Sequence, residues 1–126
     1  MSVRILIVDD SALSRKTLKR MLEADGHTVL EANDGMAAIE RYFVEKPDLV
    51  LLDLVMTGMY GLDVLAKLRE VDPAVRVIIA SADIQSSTRE MADEAGAVGF
   101  VNKPFTQTEV AAAVRSAIQG TPDGAA

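Results

Sequence analysis

Three aspartates, a serine and a lysine stand out because each follows a short apolar run. Ile5-Leu6-Ile7-Val8 leads into Asp9-Asp10, and Leu49-Val50-Leu51-Leu52 leads into Asp53. The run from Val75 to Ala80 leads into Ser81, and the run from Val98 to Val101 leads to Lys103-Pro104. If the runs are strands lying side by side, the three carboxylates converge. Carboxylates close together repel, the more so where water is excluded. A hard divalent cation with oxygen ligands relieves that repulsion. Carboxylates plus a backbone carbonyl, with waters left over, suit Mg²⁺ better than a dedicated Ca²⁺ cage. Lys103 adds an ammonium and Ser81 a hydroxyl donor. Together these groups make a pocket for a phosphoryl group. Singly, each has a plainer reading. An Asp pair after a strand also caps helices, Ser81 is also a loop hydroxyl, and Lys103 is also a solvated charge. What joins them is that all fall at the same end of one sheet.

The elements must therefore bring those ends together. The runs are nearly continuous in apolar residues, as in parallel strands covered on both faces. Thr28 to Ala32 is weaker and contains Glu31, which reads as an edge strand. Between the runs lie helical patterns. Leu13, Thr17, Leu18, Met21 and Leu22 recur at helical spacing up to Gly26. A second helix runs from Asp34 to Glu45, capped by Asn33 or Asp34, with Pro47 beyond. Leu62, Leu65 and Leu68 mark a third, stopped before Pro73. The last carries Val110, Val114 and Ile118, opened by the capping-box spacing Thr106-x-x-Glu109 and closed by Gly120. Ser86 to Ala95 is the weakest helix. Ser87-x-x-Glu90 can cap it, but its apolar face is only Met91, Ala92 and Ala95, so it should dock loosely. Strand and helix alternation predicts an α/β fold: a three-layer, doubly wound, flavodoxin-like sandwich with a five-stranded parallel sheet in the order 2-1-3-4-5. Ligands of such sheets sit outside the carboxyl ends of the strands, near the switch in strand order.

Composition bounds the rest. The chain has 126 residues and a net charge of −6, one domain's worth. Residues 1–119 are read as that domain and 120–126 as a flexible tail. No cysteine is present, which excludes disulfides, thiolate metal sites and a thiol nucleophile. A single histidine, His27, excludes a multi-histidine metal site and reads as a surface turn residue. The 13 Lys and Arg are read as dispersed, so no nucleic-acid partner is expected. No apolar run is long enough to span a membrane, and no signal peptide is read before the first strand. A soluble, cytoplasmic domain is the expectation.

The chain closely resembles the receiver domain of bacterial two-component response regulators, of the single-domain CheY-like type. The resemblance rests on Ile7-Val8-Asp9-Asp10-Ser11, Pro47-Asp48-Leu49-Val50-Leu51-Leu52-Asp53, Ala80-Ser81-Ala82 and Lys103-Pro104-Phe105, in that order. It covers residues 3 to about 119. It implies roles by position. Asp53 would be the phosphoacceptor, taking a phosphoryl group from a phosphohistidine on a sensor histidine kinase or phosphotransfer protein. Asp10 and Asp9, with Asp53 and the backbone carbonyl of Val55, would hold Mg²⁺. Lys103 would bind a phosphoryl oxygen, and Ser81 would swing toward the phosphoryl group. Phe100 occupies the switch-aromatic position, with a core strand Phe as its plainer reading. The Lys103–Pro104 bond would be cis. Val55 and Asp83 would influence the hydrolytic water and hence the phosphoryl lifetime.

Two residues depart from the family pattern. Thr57 stands where proline is usual, and Tyr60 where aspartate is frequent. Thr57 frees a backbone dihedral, and Tyr60 reads as a partly exposed loop residue. By resemblance the protein is a monomeric signalling protein rather than an enzyme, although it would assist its own phosphorylation and dephosphorylation. It would present the face of its fourth helix, fifth strand and fifth helix to a downstream protein, such as a flagellar motor switch or a phosphatase in chemotaxis. A phosphorelay intermediate and a phosphate sink are the alternatives. A flavodoxin-like binding module is disfavoured by the lack of a Ser/Thr-rich loop after the first strand. An aspartyl phosphatase would instead carry its nucleophile at the end of that strand.

Overall fold

The computed structural model describes residues 2–56, 58–82 and 85–119. Thr57, Asp83 and the tail from residue 120 lie outside the described residues. Strands and helices alternate: β1 (Arg4–Val8), α1 (Ala12–Ala24), β2 (Thr28–Ala32), α2 (Gly35–Glu45), β3 (Leu49–Leu52), α3 (Gly61–Val71), β4 (Val77–Ser81), α4 (Ser86–Glu94), β5 (Gly99–Asn102) and α5 (Gln107–Gln119). The strands form one parallel sheet in the order β2-β1-β3-β4-β5. This is the expected doubly wound sandwich.

Successive side chains of a strand point to opposite faces, and each face here meets its own helices. Ile5, Ile7, Leu49, Leu51, Ile78, Ala80 and Val101 pack against Leu18 and Leu22 of α1 and Val110, Val114 and Ala117 of α5. Leu6, Val8, Val50, Leu52, Val77 and Ile79 pack against Ala38 and Tyr42 of α2, Val64, Leu65 and Leu68 of α3, and Ala92 of α4. Cover on both faces is why the central strands read as unbroken apolar runs.

Several details differ from expectation. Leu13 is 74% exposed. It lies five residues before Leu18, about 0.4 of a turn off the buried stripe of a helix with 3.6 residues per turn. Ser87 does not cap α4, because the helix has already begun at Ser86, and Gln85 at the N-cap makes no side-chain bond. α4 buries Ala92 alone, leaving Met91 exposed. Its docking is as thin as its composition implies. β4 begins at Val77 because the Val75 amide is turned back onto the Asp72 carbonyl. β5 runs one residue later than expected, because Asn102 still pairs with Ser81. The His27 imidazole is half-buried and accepts the Val3 amide at 3.2 Å through Nδ1, tying down the entry to β1. The basic residues are less dispersed than expected. Arg15, Lys16, Lys19 and Arg20 share α1, with Arg15 paired to Glu31 and Lys19 lying 4.0 Å from Glu23. Asp34, of the two expected candidates, caps α2 by accepting the Ala37 amide at 2.8 Å. The Thr106 hydroxyl accepts the Glu109 amide at 3.2 Å, one half of a capping box.

Two contacts lock the helices that flank the carboxyl end of β3. The Tyr42 hydroxyl donates to Asp72 at 2.7 Å, joining α2 to the end of α3. The Tyr42 hydroxyl, and then the Ala74 amide, hold the Asp72 carboxyl below its ordinary value of 3.8. A lowered carboxyl contributes stability above its unfolded pKa, and that stability disappears as pH falls through the folded value. Tyr42→Phe is therefore expected to be less stable than wild type near pH 7, with the difference shrinking as the pH falls below the ordinary carboxylate range. Urea midpoints near pH 7 and below that range check this. At the start of α3, a Cβ on Gly61 would collide with the Leu54 backbone and lie 2.7 Å from the Asp53 carbonyl oxygen. Gly61→Ala is expected to cost about 2 kcal/mol by forcing the helix off that backbone, measured by urea unfolding.

Candidate functional site

The hydrogen-bond ladders run one residue past the strands and so aim the site residues. The Asp9 amide donates to the Ala32 carbonyl at 3.2 Å, the Asp53 amide to the Val8 carbonyl at 2.9 Å, and the Lys103 amide to the Ser81 carbonyl at 3.1 Å. Asp9, Asp53 and Lys103 thus inherit the register of the sheet. Ser81 is the last residue of β4, and the Lys103–Pro104 peptide is cis.

These side chains meet. Asp9 and Asp53 are 1% and 4% exposed. Asp53 Oδ1 accepts the Ser81 hydroxyl at 2.6 Å and the Val55 amide at 3.1 Å. Asp53 Oδ2 accepts from Lys103 Nζ at 3.2 Å. The same ammonium lies 3.1 Å from Asp9 Oδ2. Asp9 Oδ1 accepts the Ser11 amide at 2.8 Å. Asp9 Oδ2 is buried, and among the described residues no hydrogen bond of good geometry reaches it; the Lys103 contact there is an ion pair. Asp10 is exposed at the rim, and one carboxylate oxygen from each of Asp9, Asp10 and Asp53 falls within 4.8 Å of the others.

The charges are out of balance. Burial pushes the Asp9 carboxyl above its ordinary value; the Ser11 amide and Lys103 pull it back, and the Asp53 charge adds to the rise. Burial works to lower Lys103, but its close ion pair with Asp9 and the charge of Asp53 outweigh burial and hold the ammonium above its ordinary value. The Lys103 ammonium lies between the two buried carboxylates, Asp9 and Asp53, and Asp10 completes the acidic group. An all-oxygen donor set with an under-bonded buried acceptor fits a hard divalent ion.

Other sequence-predicted residues fall elsewhere. Phe100 is half-buried on β5 beside α4, with the Arg89 guanidinium 4.4 Å from its ring centroid. The Val55 side chain is 73% exposed, and its backbone reaches the site. Tyr60 is 46% exposed at the N-cap of α3 and makes no capping bond. Sequence reasoning missed Arg15. Its Nη1 donates to the Asp9 carbonyl at 2.7 Å and its Nε to Glu31 at 3.0 Å. The available signal was a glutamate in a half-buried strand and an arginine one turn into the preceding helix.

Five aligned strands, with acid, hydroxyl and ammonium at their carboxyl ends, define a receiver-type α/β domain. Residues 5–115 match the response regulator receiver domain model, and the chain belongs to that family. It is 39% identical over 119 residues to the chemotaxis protein CheY of Bacillus subtilis, covering 94% of this chain and 99% of that one. It is 38% identical over 115 residues to CheY of Thermotoga maritima, covering 90% and 96%. It is 36% identical over 121 residues to the response regulator MprA of Mycobacterium ulcerans, where 96% of this chain spans only 52% of the relative. The chain thus spans about half the length of the MprA regulators it matches. Among solved structures, the response regulator domain of Thermotoga maritima CheB superimposes with a TM-score of 0.87 at 29% identity, covering 97% of this chain and all of that one. A LuxR-family response regulator from Aurantimonas gives 0.90 at 32% identity, covering 99% and 94%.

The geometry ranks two substitutions. Ser81→Ala removes one of the two donors to Asp53 Oδ1 among the described residues and should cost about 1–2 kcal/mol. Lys103→Met leaves two buried carboxylates facing each other and should cost more, about 3 kcal/mol in the absence of divalent cations. Urea unfolding in chelator measures both, and the order Lys103→Met above Ser81→Ala is the expected outcome.

Proposed function

We propose that this chain is a phosphoacceptor that takes a phosphoryl group onto Asp53 from a phosphohistidine of a sensor histidine kinase or phosphotransfer protein. The observation that carries the reading is the state of Asp53. It is buried, grouped with two further acids, and engaged by a serine hydroxyl and a lysine ammonium. In the transfer, an Asp53 carboxylate oxygen attacks phosphorus and the P–N bond breaks. The bonding pair returns to the imidazole, leaving an acyl phosphate. Asp9, Asp10 and Asp53, with the Val55 carbonyl, would hold Mg²⁺, which supplies positive charge to the crowded oxygens. Lys103 already bridges Asp9 and Asp53 and can follow a phosphoryl oxygen. Ser81 would release Asp53 Oδ1 and donate to the phosphoryl group instead.

Movement of Ser81 pulls the loop that leads into α4. That helix buries one residue, so its alternative arrangements lie close in energy and a modest bias at the pocket can shift them. Phe100 turning inward would then reshape the face of α4, β5 and α5 for a protein partner such as a flagellar motor switch or a phosphatase. The two CheY proteins are matched over nearly their whole length and the MprA regulator over about half of its own. The cytoplasm is where such kinases present their phosphohistidines. Among the described residues, no helix is long and apolar enough to cross a membrane.

Acetyl phosphate should label wild-type protein only with Mg²⁺ present, and Asp53→Asn should abolish the label. Label surviving that substitution or excess chelator would sink the site. Asp10→Asn should weaken Mg²⁺ binding by removing a charged ligand. Val55→Asn should speed loss of the label, because it adds a hydrogen-bonding group for the hydrolytic water; time courses after donor removal read this out. Amide shifts on adding beryllofluoride should extend to Arg89, Met91, Phe100 and Val110. Shifts confined to the loops of Asp10, Asp53 and Ser81 would favour a phosphate sink.

A further inference from the structure

We propose that Arg15 and Glu31 form a clamp that sets the Asp9–Asp10 peptide and, through it, the divalent-cation affinity of the acidic pocket. Arg15 is a positioning residue: it touches backbone, not ligand. The inference rests on the reading of the pocket as a Mg²⁺ site.

The Asp9 backbone is held on both sides. Its amide donates to Ala32 and its carbonyl accepts Arg15 Nη1 at 2.7 Å, while its carboxylate accepts the Ser11 amide. The peptide unit is planar. Fixing the Asp9 carbonyl oxygen therefore fixes the direction of the Asp10 amide and the position of its Cα. Asp10 leaves the chain at the pocket rim from that point. Its carboxylate lies within 4.8 Å of the other two with that peptide in this orientation.

Glu31 holds the clamp in turn. It is the one charged residue of β2, and it accepts Arg15 Nε at 3.0 Å. The Arg15 side chain is only 17% exposed. Two N–H vectors of one rigid guanidinium plane thus meet two acceptors on different elements. A lysine carries the same charge but lacks that fork. The arrangement accounts for a carboxylate in a strand that is otherwise apolar beyond Thr28.

Charge and geometry predict opposite signs. A cation beside a cation site opposes Mg²⁺ by charge alone, so losing Arg15 would tighten binding. Losing a clamp weakens it. Outer-sphere partners of this kind change metal affinity by about 10- to 100-fold. Mg²⁺ titration calorimetry on the whole chain, without phosphodonor, separates the two. Arg15→Gln is expected to bind Mg²⁺ about tenfold more weakly, and Arg15→Lys to fail to restore it. Glu31→Gln should show a smaller loss, non-additive with Arg15→Gln. In chelator, Arg15→Gln should speed amide exchange at Asp10 and Ser11 while Leu6 and Leu51 stay protected. Equal or tighter Mg²⁺ binding by Arg15→Gln, restoration by Arg15→Lys, or unchanged exchange at Asp10 would overturn the clamp. Wild-type protein that binds no Mg²⁺ would overturn the pocket reading, and faster exchange at Asp10 would then still uphold the clamp on the backbone.

Discussion

One ammonium shared between two buried carboxylates is the constraint on which the rest of this molecule turns. Lys103 Nζ lies 3.1 Å from Asp9 and 3.2 Å from Asp53. Removing the lysine from the sheet end would leave two carboxylates facing each other in a place that water barely reaches. The site is tolerated because the sheet supplies exact backbone addresses for it. The amides of Asp9, Asp53 and Lys103 each complete a ladder begun by the strand before them. Register and electrostatics are thus one problem. A one-residue slip of β3 would turn the Asp53 side chain to the other face.

The same economy governs the helices. α1 and α5 share one face, and α2, α3 and α4 share the other. Four of them bury two or more apolar residues against the sheet or a neighbour, whereas α4 buries only Ala92. Arg89 over Phe100 adds a contact between α4 and β5 that is weak on its own. The rigid part of the molecule carries the chemistry, and the loosely held part lies beside it on the strand that ends near Lys103.

Much of this was legible in the residues. Unbroken aliphatic runs such as Leu49 to Leu52 demanded two covered faces, which dictated a parallel sheet. Polar residues ending those runs marked the rim. What escaped was set by tertiary context. Leu13 belongs to the helical pattern by type, but not by angle. Ser87 has the right chemistry for a cap two residues too late. Glu31 looked like the mark of an edge strand, and it is half of an ion pair whose other half lies 16 positions earlier in sequence. His27 looked like a turn residue, and its Nδ1 meets an amide from a segment 24 positions away. Short-range pattern cannot see such partners, because nothing in local periodicity encodes them.

The span of the site has a consequence for how the chain matures. The bond from Ser81 to Asp53 joins residues 28 apart, and that from Lys103 joins residues 50 apart. Ser81 can reach Asp53 once β3 and β4 pair, but Lys103 reaches Asp9 and Asp53 only when β1 and β5 have joined them, and such non-local pairing is the slow part of folding. An incomplete chain ending before β5 has Asp9 and Asp53 but no counter-charge. The pocket is therefore complete only once β5 has joined the sheet. Only the finished sheet brings the acids, the hydroxyl and the ammonium together, which makes the acidic rim a built-in certificate of complete folding.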